Sequence, residues 1–409
     1  MSAVTGTFSV GLLRSQNFGA LWLAQVASRL GDPITLIALA YVSYARTGSA
    51  LITALAVVIA TVPNAIFGFF GGVIADAMGN RRAMVTCDLA RVILVGLVPI
   101  VLGLGLPLAV AYVLVFAAAS CGAIFNPARL ALVPRLVHPG ELPAANSLTY
   151  SSDRAVEVIG ALAAGILVAN LGERAFYIDA LTFLVSAAFL TRIQISESRK
   201  ELSLQSAAHD AKEGVLFLAR HAILRANTIF SLICQLSIPV ASSLAPALIF
   251  QRFANGNAQV GSSQFGATEA AIAVGAVVSG ILLVPRFARI PKGRLLLVGF
   301  AIYGFILIAL ALTTSFELAL LLFLLTGVVN VLFYVPNVTI SQELTPPELR
   351  ARVFGARIAL LNLSWLPVIV LSGALADVVG VPLLIAAAGL VTVAGALIGV
   401  LIPVVRDVP

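Results

Sequence analysis

The sequence predicts an all-α membrane protein, with twelve transmembrane helices in two pseudo-symmetric six-helix bundles, and three observations carry that prediction. Of its 409 residues 60% are hydrophobic and only 11% charged, with a mean hydropathy of +1.06, which excludes a soluble globular protein. Apolar stretches of about 20 residues, each long enough to cross a bilayer as a helix, recur near residues 18–45, 51–75, 83–104, 108–133, 144–170, 175–192, 226–250, 266–285, 295–313, 317–340, 353–376 and 381–405. The second half also repeats the plan of the first. YVPNVTISQELTPPELRARVFG, Tyr334 to Gly355, echoes FNPARLALVPRLVHPGEL, with Pro336 matching Pro127 and Glu348-Leu349 matching Glu141-Leu142.

These observations divide the chain into a bundle over 1–192, a cytoplasmic linker over 193–225 and a bundle over 226–409. If the N-terminus is cytoplasmic, the outward loops hold only Arg46, Arg174 and Arg252, while nearly all other basic residues outside the spans lie inside. Both termini are then cytoplasmic, and the net charge of +7 serves topology and anionic lipid headgroups, not nucleic acid. No small-residue cleavage site follows the first apolar stretch, so no removable signal peptide is expected. Cys87, Cys121 and Cys234 all fall within spans and lack metal-ligand spacing, which argues against a structural disulfide. His138, His209 and His221 lie in or beside loops, so neither a metal site nor a cofactor is expected.

In the first span Gln25, Arg29 and Asp32 recur at i, i+4 and i+7 and share one helical face. Charge at that depth costs about 2.5–3.5 kcal/mol on insertion scales, so the pair calls for a wet or compensated environment. Asp32 reads either as a proton site or as the fixed partner of Arg29. The stretch GGVIADAMGNRR, Gly71 to Arg82, ends the second span. Gly71 and Gly72 permit close helix approach, Asp76 can face a helix N-terminus or an arginine, Gly79 allows a tight reversal, and Arg81 and Arg82 suit the headgroup zone. Asp88 and Arg91, i and i+3 in the third span, read as structural partners of Arg81, Arg82 or a facing helix, and Pro99 as a kink. Pro127 and Pro134 are expected to bend or end the fourth span.

The fifth span carries Asn146, Tyr150, Asp153, Glu157, Gly160 and Ala164 on one face. Glu157, near the midplane, reads as a coupling or substrate-contacting acid, or as one neutralised by Arg154 or Arg29. Asp179 reads as a helix-start residue. In the linker, 210–225 has amphipathic spacing, with Val215, Leu218, Ala219 and Ala222 on one side of an interfacial helix. Arg286, Arg289, Lys292 and Arg294 occupy the loop that corresponds to Asp76–Arg82, without an acid of their own. The deep spans of the second half offer Gln235, Asn330, Asn362 and Trp365 but no midplane acid or base, while Glu269 and Asp377 lie near outer ends. Charge on one half and apolar or aromatic surface on the other suits a bulky amphipathic substrate.

The spacing of Gly72, Ile74, Ala75, Asp76, Gly79, Arg81 and Arg82 resembles the loop between helices two and three of the major facilitator superfamily of secondary transporters, although Ala77 and Asn80 stand where that pattern has arginine. The F-x-P-A-R, V-P-x-L-V and E-L-x-A-A-N-S elements between Phe125 and Leu148 resemble its branch of enterobactin exporters and macrolide efflux proteins. In the fifth span EVIGALAAGIL keeps Gly160 and Gly165 of an antiporter signature but has Ala161 in place of proline. The resemblance implies a monomeric exporter of a drug, siderophore or secondary metabolite, driven by protons through Asp32 or Glu157. Binding would fall near the midplane between the halves, and Asp76, Arg81 and Arg82 would gate the inner side. Arg29, Gln25, Asp153, Arg154, Asn330, Asn362 and Trp365 complete the expected cavity, and Helix eleven, starting near Arg352, would meet Asp76 with its dipole. An uptake carrier or lipid flippase on the same scaffold, or a non-transporting sensor, are the alternatives. No catalytic triad, metal spacing or phosphate-cradling glycine loop points to an enzyme.

Overall fold

A computed structural model describes residues 10–195, 204–287, 290–346 and 349–408. Every long element is helical: α1 Gln16–Thr47, α2 Ala50–Met78, α3 Asn80–Gly103, α4 Leu108–Leu136, α5 Leu142–Leu171, α6 Ala175–Thr191, α7 Leu204–Arg220, α8 Ala222–Cys234, α9 Ser237–Leu248, α10 Ala258–Val278, α11 Lys292–Leu312, α12 Phe316–Glu343, α13 Arg350–Val379 and α14 Val381–Val400. Helices suit a bilayer because they satisfy every backbone group internally. Among the described residues nine helical segments are long and apolar enough to span; one of them, Ala144–Thr191, covers 48 residues and holds both α5 and α6. Large apolar side chains such as Ile93, Val113, Ile159, Leu363 and Val378 lie exposed along these helices, as lipid-facing positions do.

Prolines inside spans do not end them. Pro127 and Pro134 both lie within α4, which runs past Pro127 and ends at Leu136, two residues after Pro134, and Pro99 lies within α3. Neighbouring helices can compensate a lost backbone bond in a membrane, where the chain has no water to turn to. Reversals fall instead on glycines with positive φ: Gly79 at 88° before α3, Gly172 at 57° after α5 and Gly380 at 91° between α13 and α14.

The chain forms two compact units. The first comprises residues 1–38 and 59–204, and the second 39–58 and 205–409, so the C-terminal end of α1 and the N-terminal part of α2 belong to the second unit. In the first unit Phe18, Leu21, Met84, Phe125 and Leu132 make a buried core, and α3 packs along α4 and α6. Gly71, rather than Gly72, makes the close approach there. A Cβ on Gly71 would press on the Ala123 carbonyl of α4, whereas one on Gly72 would meet only Pro127 Cβ at 3.7 Å.

In the second unit α11 crosses α14 where Gly304 meets Gly389; a Cβ on either would lie 2.6 Å from the other's carbonyl oxygen. Phe300 stacks on Phe333 with centroids 4.6 Å apart, and Tyr303 meets Phe333 edge-on at 5.6 Å. Here Asp377, in the last turn of α13, caps the N-terminus of α2. The Ser49 hydroxyl donates to it at 2.6 Å, the Ala50 amide at 2.7 Å and the Leu51 amide at 3.4 Å. These are the donors that a helix start leaves without partners. Asp377→Ala should therefore cost about 1 kcal/mol, as loss of an N-cap does, read as a lower unfolding midpoint of the detergent-solubilised protein. An unchanged midpoint would show that the cap carries no stability.

The amphipathic helix α7 is present, and it meets the protein through a narrow stripe. Gly214 and Leu218 are buried, Leu218 packing with Leu224, Val353 and Ala356, while Val215, Ala219 and Ala222 are exposed. Its anchor is α13: Glu213 pairs with Arg352, and a Cβ on Gly214 would press on the Arg352 carbonyl. Residues 196–203 of the expected linker, Arg289 and Glu348 lie outside the described residues. The basic loop before α11 does acquire acids, from distant sequence: Lys292 pairs with Glu343 at 2.9 Å and Arg294 with Asp407 at 3.7 Å. Hydrogen bonds from Arg406 and its charge, with that of Arg294, hold the Asp407 carboxyl below its usual range.

Candidate functional site

Polar side chains collect at two places inside the first unit. The upper cluster is built on α1, α3, α4 and α6 around Arg91. The α3 and α6 helices run antiparallel, and successive contacts fix their register: Arg81 donates to the Leu190 and Thr191 carbonyls at 3.0 and 2.7 Å, the Arg91 guanidinium lies 4.3 Å above the Phe183 ring, and Gly96 faces Ala180. This makes Arg81 a cap for the C-terminal carbonyls of α6.

Arg91 is buried and its donors reach two other helices. It donates to the Ala118 carbonyl of α4 at 3.1 Å, to the Ser28 hydroxyl at 3.3 Å and to Asp32 at 3.2 Å, both on α1. Gly122 makes room for it, since a Cβ there would lie 2.5 Å from the guanidinium. The expected Arg29–Asp32 pair is thus corrected: Asp32 is the partner of Arg91, and Arg29 donates to Asn126 of α4 at 3.0 Å. Of the partners read for Asp88 and Arg91, it is facing helices that Arg91 meets. Asp88 is fully buried one turn from Arg91, 4.0 Å from its guanidinium, and neither of its oxygens has a hydrogen-bond partner. Asp179, read from sequence as a helix-start residue, is also fully buried, and it accepts hydrogen bonds from the Thr35 and Thr182 hydroxyls. The absence of a side chain at Gly31 leaves space for that carboxylate.

The lower cluster joins α1, α4 and α5. Arg129, 5% exposed, pairs with Asp153 at 3.2 Å, and Gln25 donates to the other oxygen of Asp153 at 2.8 Å. Trp22 donates to Ser152 at 2.8 Å beside them. The sequence reading placed Gln25 and Asp153 on inward faces but did not select Arg129, although an arginine within an apolar span was signal enough. Glu157 pairs with Arg154 of its own helix at 2.7 Å and is about half exposed, so the alternative partner Arg29 is excluded. Asp76 and Gly72 are half-buried, and Arg82 is exposed.

The second unit also holds a buried base near the start of α13, short of the midplane to which the sequence reading was confined. Arg357 of α13 is 5% exposed and donates to Asn337 and Ser341 of α12 and to Ser231 of α8, while Asn227 donates to Asn337 at 3.0 Å. All of these partners are neutral. It stands eight residues into the helix, where the sequence reading looked only farther along the span. Asn330, Asn362 and Trp365 are half-buried, and the Trp365 indole nitrogen is buried without a partner.

Apolar spanning helices with ion pairs held inside them define an integral membrane protein of the solute-transporter type. The model of the Major Facilitator Superfamily matches residues 21–369, and the chain belongs to that family of transporters. It is similar to macrolide efflux protein A of Streptococcus pyogenes, 23% identical over 89% of this chain and 90% of that one. It is also similar to the multidrug efflux pump Tap of Mycolicibacterium fortuitum, 22% identical over 94% and 95%. Among solved structures an auto-inhibited POT family peptide transporter superposes with a TM-score of 0.72 at 13% identity, covering 94% of this chain and 96% of that one, a likeness of fold alone.

Proposed function

We propose that this protein is a proton-coupled exporter of a small amphipathic organic compound, a drug, siderophore or secondary metabolite, working by alternating access in the cytoplasmic membrane with both termini inside. The observation that carries the reading is the buried cluster of carboxyl groups around Arg91 in the first unit, against a buried arginine with only neutral partners in the second. Such intramembrane charge is expensive and marks ion or substrate pathways. The efflux proteins among its relatives support the export direction and the substrate class. Counting α1, α2, α5 and α6 each as one crossing brings the nine spanning segments to twelve, in halves over 1–192 and 226–409. We take the protein as a monomer.

In this reading Asp32 is the coupling acid and Gln25, Arg29, Asp153, Arg154, Glu157, Asn330, Asn362 and Trp365 contribute to substrate binding. Gly72, Asp76, Gly79 and Arg82 belong to the inner gate, with Arg81 as its anchor on α6. The test is gradient-driven transport in proteoliposomes with lipophilic cations, macrolides and siderophores. The parent is expected to accumulate at least one of these. Asp32→Asn should abolish gradient-driven accumulation while retaining binding, and Glu157→Gln should keep coupling. Accumulation by Asp32→Asn equal to that of the parent would remove Asp32 from coupling; no gradient-dependent movement of any compound by the parent would remove proton-coupled export.

A further inference from the structure

We propose that Asp88, Asp32 and Asp179 form a proton-holding ladder around Arg91, in which Asp88 and Asp179 store protons and Asp32 is the port through which they exchange. The proposal rests on the proton-coupled reading above and assigns it a site.

The charge count comes first. Among the described residues three carboxyl groups meet one guanidinium, and only Asp32 bonds to it directly, at 3.2 Å. Asp88 stands at 4.0 Å with both oxygens unbonded, and Asp179 is held by two hydroxyl donors and no cation. Both have 0% exposure. A buried carboxylate without a counter-ion takes up a proton rather than remain charged. The neighbours supply no further positive charge. Cys87 on α3 and Cys121 on α4 are thiols, Ser186 faces α3 from α6, and Arg29, a turn earlier on α1, is engaged with Asn126. The Gly172–Arg174 turn, which also packs on α3, carries Glu173 and Arg174 at the opposite end of α6 from Ser186.

The register gives the order. Arg91 lies opposite Phe183, which places Asp88 one turn toward the inner side and Asp179 one turn toward the outer side, about 10 Å apart along the helix axis. Asp32 sits beside Arg91 with its side chain 38% exposed, so it alone of the three meets the surroundings. Arg91 presents one nitrogen to Asp32, and the other, which donates to Ser28, lies 4.0 Å from Asp88. When Asp88 passes its proton to Asp32, the guanidinium turns from Asp32 to Asp88, and Asp32 then releases the proton to the surroundings. Uptake runs the same steps in reverse, so every proton enters and leaves through Asp32 while Arg91 stays paired with an ionised acid.

The test needs no substrate. Infrared spectra of the full-length protein in detergent, at neutral pH, separate the carboxylic-acid carbonyl band from that of carboxylates. Asp88→Asn and Asp179→Asn should each remove one carboxylic-acid equivalent from that band, Asp32→Asn, which leaves the guanidinium to Asp88, should also remove one, and Asp88→Glu should restore a shifted band. Circular dichroism and unfolding midpoints check that the variants fold. A band of parental intensity in both Asp88→Asn and Asp179→Asn would overturn the ladder. So would a band lost on replacing potassium by sodium, since the site would then take a metal cation. Band losses alongside absent gradient-driven transport would sink the export reading and leave the ladder standing; coupled transport with unchanged bands would do the reverse.

Discussion

Arg91→Met is expected to destabilise the protein by about 3–5 kcal/mol, because it removes the cation from a buried ion pair and leaves the acids behind. Methionine fills a similar volume, so packing is largely kept and charge is what changes. The losses are the bond to Asp32, the bonds to Ser28 and the Ala118 carbonyl, and the stacking on Phe183. Asp32 is partly exposed and should recover some solvation, which places the effect toward the lower end. The double variant Arg91→Met/Asp32→Asn should regain a good part of the loss, since neutralising the partner removes the stranded charge. Arg91→Lys should rescue poorly, because a single ammonium cannot serve acceptors on α1 and α4 while stacking on an α6 ring. Unfolding midpoints in detergent for the four proteins decide the matter. Equal midpoints for Arg91→Met and the parent would mean that this ion pair contributes nothing to the fold.

Arg129→Met should act in the same way at the lower cluster, also by about 3–5 kcal/mol. Arg129 and Asp153 bind α4 to α5, and Gln25 extends the link to α1. Without Arg129 the Asp153 carboxylate keeps only the Gln25 amide, a single neutral donor. Asp153→Asn should be milder than Arg129→Met, because the amide oxygen can still accept from Arg129. The two substitutions combined should cost less than their sum. The sites at Arg91 and Arg129 have separate partners, so their effects are expected to add. Strong coupling between Arg91→Met and Arg129→Met would show that the two clusters form one network.

Much of this molecule was legible in the chain. Hydropathy located the spans, because only a helix of about 20 apolar residues crosses a bilayer with its backbone satisfied. Periodicity put Gln25, Arg29 and Asp32 on one face of α1 and Asp153 and Glu157 along α5, and the glycine turn at Gly79 falls where it was read. Partners were less accessible. Arg91 is 59 residues from Asp32, and no local spacing connects them. Pairing Arg29 with Asp32 followed helical proximity, yet those two side chains project to different neighbours. Asp179 looked like a helix-start residue because it lies near the beginning of α6; the register of α6 on α3 makes it a buried acid. Arg357 near the start of α13 was not among the sequence candidates, and packing on α8 and α12 buried it.

The sequence by itself therefore determined the solvent this protein lives in, the helical character of its spans and which residues carry charge into the membrane. Those properties depend on composition and on the 3.6-residue period, which are local. Only the tertiary structure decided that Arg91 belongs to Asp32, that Arg129 belongs to Asp153, and that residues 39–58 belong to the second unit. A helix face can be read from its own period, but the neighbour it meets is chosen by the register between helices. That register is set by small residues such as Gly31, Gly71 and Gly122, whose close contacts lie on elements far away in the chain.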